Sequence, residues 1–137
     1  MGCEVSWQVE LAIKPGELDN FRKLTSEMVE FTKDEPGVLI YERFVSNDGK
    51  VVYIYERYAD SDAAVAHLQT FGKQYGERFV SMVERKQFTV FGLPSNELKG
   101  ILDKLGAIYL DPFEVLPNSV DGSGGCSFPT LGIRFTY

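Results

Sequence analysis

A chain of 137 residues that is 44% hydrophobic and 25% charged has the composition of one globular domain with its own core. Its formal net charge of −6 argues against a nucleic-acid surface, and no apolar run reaches the ~20 residues that cross a bilayer. One histidine and two distant cysteines, Cys3 and Cys126, offer no metal site or disulfide framework, so we expect a cytoplasmic protein that binds no metal.

The first half of the chain predicts a strand, a helix and a hairpin. Residues 4–13 alternate between apolar and polar side chains, which is the period of a strand. A helix is predicted over about residues 17–33, where apolar residues recur every three or four positions until Glu35-Pro36-Gly37 stops it. Residues 38–45 and 51–58 are rich in β-branched and aromatic side chains and flank an Asp-Gly turn, so they predict a hairpin.

The second half predicts a helix, a strand and an extension. The helix starts near Ser61, continues to Met82 with a bend near Gly72 and Gly76, and leads into a strand over residues 87–93. This order predicts an α+β, ferredoxin-like βαββαβ domain with an antiparallel sheet. A short helix capped by Ser95 or Asn96 and a short strand at 107–110 follow. We assign residues 1–110 to the domain and residues 111–137 to a loop-rich extension with a candidate edge strand at 131–137.

Three stretches together resemble the antibiotic biosynthesis monooxygenase family. They are Lys14-Pro15-Gly16 before the first helix, the run EPGVLIYE at residues 35–42, and the run YERYAD at residues 55–60, which leads through Ala63 and Ala66 to His67. The resemblance covers roughly residues 4–110 and implies a dimeric α/β barrel, built from two four-stranded sheets packed face to face. For part of the family it implies oxygenation of hydroxylated aromatics or quinols without flavin, metal or haem, so no cofactor is expected.

The hairpin supports a homodimer independently of the resemblance. Its second strand carries Val52, Ile54 and Tyr58 on one face, and Tyr53 and Tyr55 among large residues on the other. Helices cover only one face of such a sheet, and an open face would be expected to be polar. A partner sheet is therefore predicted to cover the second face.

His67 and Glu56 are the candidate catalytic residues. By the resemblance, Glu56 and Tyr58 share the strand face that points at the helices, and His67 lies on the buried side of the second helix. The hypothesis is that Glu56 orients His67, which acts as a base toward a phenolic substrate, because a phenolate gives an electron to oxygen more readily than a phenol. Trp7, Tyr58 and Phe71 would line the aromatic pocket.

The sequence leaves other interpretations open. His67 and Glu56 could form a purely structural pair, and the protein could be a non-catalytic, ligand-binding or stress-associated barrel. Arg43 and Arg57 could bind a carboxylate, although cross-strand pairing with Glu42 or Glu10 is the simpler interpretation.

Haem degradation is disfavoured by residue type. The haem-degrading members of the family that this chain resembles have an asparagine on the first strand and a histidine ligand late in the second helix. Val9 and Glu77 stand at these positions, and neither side chain suits the role.

Overall fold

The computed structural model describes residues 3–116. Its elements in chain order are β1 (Val5–Ile13), α1 (Leu18–Thr32), β2 (Val38–Val45), β3 (Val51–Tyr58), α2 (Ser61–Gln74), α3 (Gly76–Met82), β4 (Val83–Gly92), α4 (Asn96–Lys104) and β5 (Ile108–Leu110). The strand predicted at 131–137 lies outside the described residues.

The strands form one sheet in the order β2-β3-β1-β4-β5. The first four strands are antiparallel to their neighbours, and β5 runs parallel to β4, with α4 as the connection. The arrangement of β1 to β4 with α1 and α2 confirms the predicted α+β, ferredoxin-like fold.

Local chemistry explains most element boundaries. Gly49 closes the hairpin turn with a φ of 73°, a conformation that glycine adopts without strain. The Asp60 side chain accepts a hydrogen bond from the Ala63 amide and so begins α2, and Ser95 begins α4 in the same way through Leu98.

The region between α2 and β4 differs in part from the prediction. The bend predicted near Gly72 and Gly76 is a full break at Tyr75, whose φ of −126° is not helical, and α3 follows as a separate element. Strand β4 starts at Val83, four residues early, and a bulge between Glu10 and Leu11 of β1 accommodates its first part. The charged residues 84–86 give no apolar alternation, so the sequence does not indicate this part of the strand, whose buried positions on either side are Val83 and Phe88.

The core lies between one face of the sheet and the helices. Trp7, Leu11, Leu24 and Tyr58 are among its fully enclosed side chains. The register places different residues on the opposite face. Those that remain exposed there include the large side chains Phe44, Tyr53, Ile108 and Leu110. This outer face therefore keeps apolar side chains in solvent at both edges of the sheet.

The helices and Cys3 bear on what composition predicted about membranes and the cellular compartment. No helix among the described residues is long and apolar enough to cross a membrane. Cys3 is disulfide-bonded, which the two-cysteine count did not predict, so cysteine usage gives no argument for a reducing compartment.

Candidate functional site

Glu56 lies at the centre of the inner face of the sheet. Its register partners are Tyr41 on β2 and Trp7 on β1. Its Oε1 accepts hydrogen bonds from Trp7 Nε1 at 2.9 Å and from the Tyr58 hydroxyl at 2.6 Å. Its Oε2 accepts one from Arg43 Nη2 at 2.7 Å. Three donors from three strands therefore hold this buried carboxylate, which is how a charge is tolerated inside a core.

The aromatic side chains around Glu56 form a continuous stack toward α2. The ring centroids of Trp7 and Tyr58 are 4.7 Å apart, and those of Tyr58 and His67 are 5.4 Å apart. The pKa of Tyr58 lies well above its usual value, mainly because the hydroxyl is buried and also because the negative Glu56 is close. Tyr58 therefore stays protonated and donates its hydrogen bond to Glu56 across the neutral pH range.

His67 is held by a different carboxylate. Its Nδ1 lies 2.8 Å from Oε2 of Glu35, in the turn that follows α1, and the His67 side chain is 6% exposed against 25% for Glu35. The Tyr41 ring packs edge-on against the imidazole with centroids 5.3 Å apart. Glu35 thus fixes the ring from the solvent side, while Tyr41 and Tyr58 fix it from the core.

The Glu35–His67 pair borders a narrow recess between α1 and α2. Its wall consists of Phe31, Thr32, Glu35, Tyr41, His67, Thr70, Phe71 and Tyr75. The space between its atoms, open solvent included, is about 180 Å³, and it encloses no room for even a water molecule. The recess must therefore widen before a planar ring can enter. Phe31 and Tyr75 of this wall pack edge-on, with ring centroids 6.3 Å apart.

The structure separates the predicted site residues into two groups. His67 and Phe71 line the recess together. Trp7 and Tyr58 lie behind it, at 1% and 0% exposure, and contribute no wall. Glu56 and His67 share no hydrogen bond among the described residues, so the expectation that Glu56 orients His67 is wrong. Tyr58 links them instead, through its ring on one side and its hydroxyl on the other.

The sequence gives no signal for Glu35 as a functional residue, because its context has another explanation. The run Glu35-Pro36-Gly37 is typical of a chain that stops a helix, and α1 ends just before it. The backbone carbonyl of Gly37 accepts a hydrogen bond from the Ala59 amide, just before α2. That contact brings the turn against α2, and the proximity of two segments so far apart in sequence has no local signal.

The arginines also pair differently from the prediction. Arg43 bonds Glu56 on the inner face, and its Cζ lies 3.6 Å from the ring centroid of Tyr41. Arg57 lies on the outer face, 3.7 Å from a Glu4 carboxylate oxygen, and donates to the Tyr55 hydroxyl. Arg43 therefore pairs across strands as expected but with Glu56, and Arg57 pairs with Glu4 just before β1, rather than either arginine pairing with Glu42 or Glu10.

Comparison with known proteins identifies the family. The model for "Antibiotic biosynthesis monooxygenase" matches residues 5–84, which is more than half of the chain. The chain belongs to the antibiotic biosynthesis monooxygenase family. No curated protein matches it. Within residues 3–116 of this family member, no group of three or more His, Cys, Asp or Glu side chains could hold a metal ion.

Solved structures share the family fold. MupZ from Pseudomonas fluorescens superposes with a TM-score of 0.74 at 20% identity, covering 84% of this chain and 96% of that one. A putative antibiotic biosynthesis monooxygenase from Bacteroides thetaiotaomicron gives 0.56 at 28% identity, covering 61% and 83%. SnoaB from Streptomyces nogalater, a cofactor-independent oxygenase, gives 0.58 at 14% identity, covering 69% and 97%. Because the identities to MupZ and SnoaB are low, their likeness to this chain concerns the fold and nothing further.

Proposed function

We propose that this protein is a cofactor-independent monooxygenase that oxidises a small hydroxyaromatic or quinol with O2. The observation that carries the proposal is the Glu35–His67 pair on the wall of an aromatic recess. Family membership and the cofactor-independent oxygenase among its structural neighbours support the same reaction class.

The geometry suits His67 to the role of general base. Glu35 binds Nδ1, so Nε2 is the ring nitrogen left to accept a proton from a substrate hydroxyl. The negative Glu35 also stabilises the imidazolium that forms, as the carboxylate does in other His–carboxylate pairs. We assign His67 as the catalytic residue and Glu35 as the residue that positions it. Glu56, which was predicted to be catalytic, becomes the support of the aromatic stack behind His67.

The proposed reaction balances without an external reductant. His67 takes the phenolic proton, and the phenolate gives electrons to O2. One oxygen atom enters the ring and the other leaves as water, while the substrate loses two hydrogens and becomes a quinone. Phe71 and the other recess side chains would hold the ring and exclude bulk water from the reacting oxygen.

Oxygen uptake tests this proposal. A panel of hydroquinones and anthrones is supplied to the wild type and to His67→Ala, and the rates are compared with buffer. We expect substrate-dependent uptake by the wild type and a loss on the order of 10² or more in His67→Ala, the usual contribution of a positioned base. Equal rates in the two proteins would remove His67 from the mechanism.

Glu35→Gln tests the positioning role, and Glu30→Gln is the matched control. Both residues lie near the C-terminal end of α1, but Glu30 is 71% exposed and pairs with Lys33 at the surface. We expect Glu35→Gln to lower the rate less than His67→Ala does, because an amide still hydrogen-bonds the ring but carries no charge. Glu30→Gln should keep the wild-type rate.

A non-catalytic, ligand-binding protein is the second candidate, and the closed state of the recess favours it. The recess encloses no room for even a water molecule, so the described arrangement holds no substrate ring in a reactive position. Uptake indistinguishable from buffer across the whole panel, together with saturable binding of a small phenol, would favour this candidate over the monooxygenase.

We also propose that the protein forms a homodimer through the outer face of the sheet. Phe44 on β2 and Tyr53 on β3 are register partners on this face and are 57% and 37% exposed. Apolar patches of this kind commonly mark interaction sites. Ile108 and Leu110 on β5 extend the same face at the far edge of the sheet. A second copy packed face to face would cover both patches, as is typical for the family.

A further inference from the structure

The buried cluster around Arg43 contains hydrogen-bond donors that have no partner of good geometry among the described residues. Four buried side-chain polar atoms among the described residues have no partner, and three of them belong to two neighbouring residues, the Tyr41 hydroxyl and Nε and Nη1 of Arg43. The fourth is the Thr25 hydroxyl. Native proteins pair nearly all buried polar groups, so such a concentration indicates a place where another molecule supplies the acceptor.

Tyr41 connects these donors to the recess. Its ring forms part of the recess wall and packs against His67, and the Arg43 guanidinium lies on the same ring with Cζ 3.6 Å from the centroid. The Arg43 side chain is itself only 9% exposed. Arg43 is not part of the recess wall, so a ligand would have to widen the recess at Tyr41 to approach both the Tyr41 hydroxyl and the guanidinium.

The charge of the cluster decides which acceptor fits. Arg43 is already neutralised by Glu56, at 2.7 Å. An added carboxylate would leave one net negative charge in a buried place, which is costly. A neutral carbonyl oxygen would accept the free N–H groups without that cost. The Tyr41 hydroxyl is also a donor here, because burial and the nearby Glu56 raise its pKa.

We propose that Tyr41 and Arg43 form a binding site for a neutral carbonyl oxygen at the inner end of the recess, so that the preferred ligand is a hydroxyaryl ketone whose hydroxyl faces His67. This inference rests on the proposed function for the position of the ligand's ring. It adds a second recognition point and selects among phenols. It also connects with the chemistry, since charge from a phenolate that is conjugated to the carbonyl spreads onto the oxygen that these donors bind.

Calorimetric titration under anaerobic conditions tests the site with three ligands of similar size. They are 4-hydroxyacetophenone, which carries the carbonyl, 4-ethylphenol, which lacks any acceptor there, and 4-hydroxybenzoate, which carries a charge. We expect the ketone to bind the wild type at least about tenfold tighter than 4-ethylphenol, the factor that corresponds to one net hydrogen bond. The benzoate should bind more weakly than the ketone.

Two variants separate the site from general stability. Tyr41→Phe keeps the ring and should lose part of the preference for the ketone. The paired change Arg43→Met with Glu56→Gln removes the guanidinium without leaving a buried charge, and it should abolish the preference while 4-ethylphenol still binds. The control is Arg78→Met with Glu27→Gln, which removes an exposed ion pair between α3 and α1 and should retain the preference.

Several results would overturn this inference. They are equal affinities of the wild type for the three ligands, tightest binding of the benzoate, an unchanged preference in both test variants, or no binding of any ligand. Because the readout is binding, the two proposals fail separately. A ketone preference without oxygen uptake would refute the proposed monooxygenase activity but support the carbonyl-binding site. Oxygen uptake without the preference would support the activity but refute the site.

Discussion

At the scale of single residues, the hydroxyls of Tyr58 and Tyr41 have opposite energetic roles. Both tyrosines are on the inner face beside Glu56. The Tyr58 hydroxyl donates to Glu56 at 2.6 Å, whereas the Tyr41 hydroxyl makes no hydrogen bond of good geometry, although Thr32 lies near enough to oppose part of the rise in its pKa. The same chemical group therefore stabilises the folded state at position 58 and destabilises it at position 41.

This difference predicts contrasting effects of the same substitution. Tyr58→Phe removes a donor from a buried carboxylate and should lower the free energy of unfolding by about 1.5–3 kcal/mol, the range for hydrogen bonds to charged groups. Tyr41→Phe removes a buried group without a partner and should leave the free energy of unfolding within about 1 kcal/mol of the wild type, or raise it. Urea unfolding of both variants measures the contrast, and an equal loss in the two would contradict it.

Alkaline pH should destabilise the protein through the same residues. The folded state raises the pKa of Tyr41, so it keeps a proton that the unfolded chain releases near pH ~10. A folded state that binds more protons loses stability as pH rises, so this contribution is complete below pH ~10 and declines above it. Tyr41→Phe should show a smaller fall in the urea midpoint between pH 8 and pH 10.5 than the wild type. Parallel falls would argue against this contribution.

The residues of the site were predictable to different degrees. His67 was identifiable because it is the only histidine in the chain and lies on the buried side of a helix. The family resemblance predicted that Glu56 lies on the strand face toward the helices, and Glu56 is buried. Its hydrogen bonds to Trp7, Tyr58 and Arg43 were not predictable, because they depend on strand register. Spacing along one segment carries no information about register between segments.

At the scale of elements, the turn that carries Glu35 is fitted closely to the start of α2. A Cβ added at Gly37 would lie 2.4 Å from the Ala63 Cβ. Only glycine allows this approach, and it is the approach that brings Glu35 to His67. The glycine of the Glu-Pro-Gly run therefore has a packing role in addition to ending α1.

Gly37→Ala should accordingly separate the turn from α2. We expect a loss of about 1–3 kcal/mol in the free energy of unfolding, the usual cost of overpacking. Adding Ala63→Gly should recover part of it by making room. Gly72→Ala is the control, because a Cβ there meets nothing within 4 Å and α2 should gain roughly 0.5–1 kcal/mol. Thermal or urea unfolding of the set gives the comparison, and a neutral Gly37→Ala would contradict the close fit.

Most elements were predictable because their patterns are local. Strand β1 alternates over nine residues, and the hairpin turn requires only the Asp48-Gly49 pair. The exceptions lie between α2 and β4. The break at Tyr75 falls where the bend near Gly72 and Gly76 was predicted, although the sequence did not show that a separate helix follows. The early start of β4 at Val83 depends on its pairing with β1, which has no local signal.

At the scale of the whole molecule, the outer face of the sheet should hold two copies together. Phe44→Lys places a charge on this face, whereas Val80→Lys places one on α3, where Val80 is 59% exposed and away from the sheet. Light scattering should give a dimeric mass for the wild type and for Val80→Lys, and a monomeric mass for Phe44→Lys. A monomeric wild type, or a dimer that persists in Phe44→Lys, would contradict the proposed interface.

The central claim is that His67, held by Glu35, meets the hydroxyl of a phenolic ligand in the recess. Because the chain has a single histidine, isotope-labelled histidine in protein without a tag gives one imidazole spectrum. We predict that anaerobic addition of hydroquinone shifts its Nε2 signal saturably, that benzene does not, and that Glu35→Gln weakens the response. An imidazole spectrum that hydroquinone leaves unchanged at saturating concentration would contradict the account.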